Sequence, residues 1–132
     1  MNILHTEWWS IAIAPEWWTE REEDAVVIGD RDEVGSILIS TLCKDNGEFQ
    51  RSELEQIAED NAAAGCRWRR VSAGDFSGIV SSYEEEGSAL REWYLSAGSV
   101  LLFVTYCCEQ EHAGMDDAAV DEILDTLQVA EA

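Results

Sequence analysis

The chain is poor in positive charge. Its 132 residues carry 8 Lys and Arg against 28 Asp and Glu, a formal net charge of −20, and Lys44 is its one lysine. Proteins that hold DNA, RNA or an anionic membrane through phosphates need a basic face, so no nucleic-acid or membrane partner is expected. The same charge steers a protein toward positive surfaces and keeps it in solution. Compositional bias alone would also produce it.

Other absences narrow the chemistry. Four cysteines occur, at 43, 66, 107 and 108, and none forms a C-x-x-C pair. Cys107 and Cys108 are adjacent in an apolar run, and on a strand they point to opposite faces. That geometry suits a zinc site poorly; reduced thiols acting as small hydrophobes are expected. Only two histidines exist, His5 and His112. "GDFSG" at 74–78 is one residue off the G-x-S-x-G elbow and lies in a predicted hairpin. Cys108 has no evident cation to lower its thiol pKa, which a Cys108–His112 pair would need. "DRDEVG" places Asp30, Asp32 and Gly35 at positions one, three and six of an EF-hand. However, Val34 takes the fifth position and Thr41 the twelfth, where a glutamate belongs. No Gly-rich phosphate loop is present. No catalytic residue, cofactor or metal is therefore predicted. "MNILHTEWWS" lacks a basic n-region and a long apolar stretch. The longest apolar run, "SVLLFVTYCC" at 99–108, is about half the length that spans a bilayer. A cytoplasmic location is expected.

The residues present describe one α+β domain over 1–132. The apolar fraction of 46% is that of a globular chain able to build a core. "WWSIAIAP" at 8–15 alternates, with Trp9, Ile11 and Ile13 on one face, and the only proline ends it. "EWWTEREED" at 16–24 reads as a polar connection. "AVVIG" at 25–29 and "GSILISTLC" at 35–43 read as strands joined by "DRDEV". Ser52 and Glu55 form a capping-box pattern at the start of a helix. Leu54, Ile57, Ala58 and Ala62 share one side of it, and Gly65 is its stop. Four strands follow, at 67–73, 76–85, 89–97 and 99–108, separated by short turns that suit an antiparallel meander. The last is apolar on both faces, which predicts a central strand.

A second helix is predicted over 116–128, with Val120, Ile123, Leu124 and Leu127 at helical spacing. Asp116 is its expected N-cap, and Met115 is placed to staple onto Val120. The predicted order is β-β-β-α-β-β-β-β-α: a sheet of about six to seven strands flanked by two helices. "RWRR" at 67–70 is the one basic cluster, and pairing with carboxylates on the sheet is expected, with Arg91 and Glu92 joining.

These landmarks resemble the Mog1/PsbP-like fold. They are an opening strand ending in Pro then Trp ("SIAIAPEWW"), a strand and helix, a meander with "REWYLSAGSVLLFVTYCC", and the closing helix "VDEILDTLQ". The likeness spans about residues 8–128 and implies an α/β/α sandwich. Members of this fold include photosystem II lumenal subunits, Ran-binding proteins and bacterial adaptors of type VI secretion effectors. The bacterial cytosolic members look closest, and they are mostly binding proteins without catalytic residues. Where the family often has Pro-x-Gly-Trp, Trp17 stands in place of the glycine. Trp18 would then be the packing tryptophan and Trp17 an extra exposed aromatic.

The expected function is a non-enzymatic protein-binding module: a small adaptor, chaperone or immunity-type protein acting on a basic protein partner. Trp8 and Trp17 are the expected aromatic anchors, and Glu84, Glu85 and Glu86 the expected acidic contacts. The alternatives are a small-ligand binder or enzyme with a pocket between helix and sheet, and a solitary housekeeping domain of unknown role.

Overall fold

The most apolar stretch becomes the middle of the molecule. In the computed structural model, which describes residues 2–22, 25–31, 34–61 and 67–130, Val100–Glu109 (β9) is the fourth of seven strands in one antiparallel sheet. The strands in chain order are β1 (Asn2–His5), β2 (Trp9–Ile13), β3 (Trp17–Arg21), β4 (Ala25–Asp30) and β5 (Gly35–Cys43), then β6 (Arg69–Ala73), β7 (Phe76–Glu85), β8 (Ser88–Ala97), β9 and β10 (Gln128–Val129). The helices are α1 (Arg51–Asn61) and α2 (Asp117–Leu124). The large sheet has the order β3-β4-β5-β9-β8-β7-β6, and a small sheet has the order β1-β2-β10. The architecture is α+β, with a seven-stranded antiparallel sheet and two α-helices among the described residues.

Pleating divides the large sheet into two faces. The inner face carries Ile28, Ile37, Ile39, Trp93, Leu95, Leu102, Val104 and Tyr106. These pack with Trp9, Ile11 and Ile13 of β2 and with Val120, Ile123, Leu124 and Leu127 around α2. Alternation along β2 thus points Trp9, Ile11 and Ile13 inward, as its sequence predicts. The outer face carries Ile79, Tyr94 and Leu101, covered by Leu54 and Ala58 of α1. One helix therefore lies against each face.

Three strands were illegible in the sequence. β3 falls in the segment read as a connection. It is an edge strand exposed at four of its five positions, so no apolar alternation marks it. β1 and β10 are short partners of β2. The cap of α1 also lies two residues earlier than expected. The Gln50 carbonyl accepts from the Leu54 N–H at 3.3 Å, and the Glu53 carboxylate accepts from the Gln50 N–H at 3.0 Å. Glu53, not Glu55, closes the box, and its hydrogen bond with Lys44 lowers its pKa. Ala62, Gly65 and Cys66 lie outside the described residues, as do Asp32 and Glu33.

Asp116 stands at the N-cap of α2, but its side chain makes no cap bond. It accepts instead from the Tyr106 hydroxyl at 2.7 Å. Met115 is 64% exposed, so it does not staple onto the buried Val120.

Tyr94 gives the outer layer a pH signature. Burial, then the Glu92 carboxylate, pushes its phenol up to about 12. An unfolded tyrosine titrates near pH ~10. The contribution is therefore whole below that pH and is lost as pH rises through the folded value. Denaturant midpoints measured from pH 9 upward should fall through this window. Tyr94→Phe should flatten the decline.

Candidate functional site

The β7–β8 connection is a two-residue hairpin, with Glu85 paired to Ser88. Both turn residues have positive φ: 49° at Glu86 and 84° at Gly87. This backbone suits Asn-Gly or Asp-Gly, and Glu86 is the only non-glycine among the described residues with positive φ. Glutamate is a costly choice at such a position.

The hairpin meets the end of β9. Ser88 pairs with Glu109, the Gln110 N–H donates to the Gly87 carbonyl at 2.9 Å, and the Gln110 side-chain amide donates to Glu84 at 2.9 Å. Glu86, Glu109 and Glu111 border a shallow groove here. Glu84, Glu85, Glu86, Glu109 and Glu111 are all exposed. Ligand atoms of Glu109, Glu111 and His112 lie within 4.8 Å of one another, and His112 Nε2 is 3.6 Å from Glu111. The chain has no Lys or Arg after Arg91. No Lys or Arg from residues 92–132 neutralises this end.

The two tryptophans expected as anchors separate. Trp8 is 42% exposed, at the turn before β2, where the Thr6 hydroxyl oxygen accepts its N–H at 3.2 Å. Trp17 is 5% exposed and belongs to the core. The expectation of an exposed Trp17 and a packing Trp18 is therefore reversed. Register explains it. Trp17 pairs with Asp30, whose face of β4 also carries the buried Val26 and Ile28, and Trp18 pairs with Gly29. Trp18 lies across that glycine, where an added Cβ would come within 2.1 Å of its ring. Trp8 and Trp17 form no common exposed patch.

A second cleft, of about 250 Å³, lies between the sheet and the start of α2, with Arg91, Tyr106, Cys108, Glu84 and Asp117 on its walls. Arg91 is engaged with the carboxylates of α2, and Glu84 with the Gln110 amide. Arg91 Nη2 is 2.8 Å from Asp121 and Nη1 is 3.6 Å from Asp117. The Arg91 guanidinium stacks 4.5 Å over the Trp93 ring. Burial, then the Asp116 bond, lifts the Tyr106 phenol far above its ordinary range. Burial also raises the Cys108 thiol, the opposite of what a nucleophile needs. These groups dock α2 onto the sheet.

The basic cluster departs from expectation too. Arg91 pairs with α2, and Glu92 accepts from the Tyr83 hydroxyl. Arg67, Arg69 and Arg70 pair with no carboxylate among the described residues. The described cysteines are free thiols. Cys108 is buried as a small hydrophobe, whereas Cys107 is exposed on the opposite face. No described helix is long and apolar enough to cross a membrane.

No family model matches the chain, and no curated protein matches it. Among solved structures it is similar to a protein from Bacteroides thetaiotaomicron VPI-5482, whose crystal structure is at 1.50 Å resolution. The TM-score is 0.69 at 18% identity, and the match covers 94% of this chain and 46% of that one. The chain thus spans about half the length of that structure, and the likeness is one of fold alone.

Proposed function

We propose that this chain is a non-enzymatic protein-binding module, an adaptor, chaperone or immunity-type protein of the cytoplasm, whose acidic end receives a basic partner. The reading rests on the convergence of Glu84, Glu85 and Glu86 with Glu109 and Glu111 where β7, β8 and β9 end together. The strained Glu86 adds to it, since a side chain kept at a conformational cost suggests a role beyond folding. Trp8 remains a candidate aromatic contact of its own, beside Ile39 and Thr41 and away from the acidic end, and Trp17 does not. Within this proposal the fold is Mog1/PsbP-like, supported by the strand–Pro–Trp opening, the meander and the closing amphipathic helix.

Charge reversal tests the proposal. Capture from native cell lysate at low salt should recover a basic protein with the unaltered chain. The triple substitution Glu84→Lys, Glu85→Lys and Glu86→Lys should lose it, and so should a wash at high salt, where exposed charges are screened. A captured protein indifferent to both treatments would refute the acidic end as the contact. The alternative of an enzyme or small-ligand pocket between helix and sheet draws on the cleft under α2, although Arg91 there is already paired with Asp117 and Asp121.

A further inference from the structure

The opposite face of the molecule holds a cleft of a different character. It opens between α1 and the outer face of β6, β7 and β8, with a volume of about 500 Å³. Three serines cross its floor in register: Ser72 opposite Ser77, and Ser77 opposite Ser96. Adjacent strands lie ~4.8 Å apart, so these hydroxyls form a row about 10 Å long. None is hydrogen-bonded among the described residues. Arg70 stands beside the row, in register with Ile79. Leu54 of α1 and Phe49 of the loop before it close the wall.

The arginine is the telling residue. Acidic side chains outnumber basic ones 28 to 8. Lys44 pairs with Glu53, and Arg91 with Asp117 and Asp121. Arg21 and Arg31 donate to the His5 and Pro15 carbonyls. Arg70, like Arg67 and Arg69, does none of these things, and it is the one of the three that lines the cleft, where it is exposed. A planar guanidinium presents paired donors matched to a carboxylate. A line of hydroxyls both donates and accepts, which matches a ligand that carries hydroxyls of its own. Small pockets of this kind combine an apolar wall with a few convergent polar groups.

We infer that this cleft binds a small polyhydroxylated carboxylate, an anion of the sugar-acid type, with Arg70 on the carboxylate and Ser72, Ser77 and Ser96 along the hydroxyls. This assignment does not depend on the acidic end. Titrating the isotopically labelled full chain with glucuronate, glucose and acetate, followed by amide chemical shifts, tests it. Glucuronate should move the amides of Arg70, Ser72, Ser77 and Ser96. It should bind about 10-fold more tightly than glucose, as one charge-assisted bidentate contact gives. Acetate should be weaker than glucuronate. Arg70→Ala, at an exposed position that leaves the core intact, should bring glucuronate down to the level of glucose. No shifts with glucuronate, equal binding of glucose or acetate, or unchanged binding in Arg70→Ala would each overturn the inference.

Discussion

Replacing Trp17 with alanine should cost about 3–5 kcal/mol of folding stability, the range for removing a buried tryptophan. Trp8→Ala should cost far less, because that ring is 42% exposed. The contrast is informative because the two residues sit in matching Glu-Trp-Trp triplets. Trp17 shares the inner face with Val26 and Ile28 and joins the main core cluster. Its removal leaves a cavity at the β3 edge, where only β4 holds the strand in the large sheet. Trp18→Ala should lie between, since its ring rests on Gly29 but is 38% exposed. Urea midpoints for the three variants read out this ranking. A larger loss from Trp8→Ala than from Trp17→Ala would refute the assigned register.

Gly78→Ala should be comparably damaging, although it removes nothing. Gly78 lies in the body of β7, between Val71 on β6 and Leu95 on β8. A Cβ there would sit 1.8 Å from the Tyr94 carbonyl oxygen. That oxygen is backbone and cannot swing aside, so β7 and β8 would have to separate locally. Overpacking typically costs about 1–3 kcal/mol, and more where backbone must move. Gly98→Ala is the control. Its φ is +58°, and no atom lies within 4 Å of an added Cβ, so it should cost only the backbone strain of a left-handed residue, roughly 1–2 kcal/mol. Equal thermal midpoints for the two variants would contradict the close approach at Gly78.

The elements that can be read from the sequence are those whose two faces differ, or are both apolar. β2 alternates cleanly, α2 repeats at helical spacing, and β9 carries apolar residues on both faces and takes the central position. β3 escaped because an exposed edge strand needs no apolar pattern, only a neighbour to pair with. The roles of Trp17 and Trp18 could not be assigned without the pairing of β3 to Gly29 and Asp30, although a glycine opposite a tryptophan is the signal that would have helped. The three glutamates of the β7–β8 turn were visible as a run. Their meeting with Glu109 and Glu111 was not, because it depends on the register of three strands. The serine row is hidden for the same reason: its members are separate in sequence and become neighbours only in the sheet.

Amide shift mapping with a synthetic Lys- and Arg-rich peptide tests the proposed role of the acidic end most directly. At low salt the shifts should concentrate at residues 84–88 and 109–112. They should shrink as salt rises and vanish in the Glu84→Lys, Glu85→Lys, Glu86→Lys variant. Shifts spread evenly over the acidic surface, or unchanged by the triple substitution, would show that the charge is diffuse and that this end is no binding site.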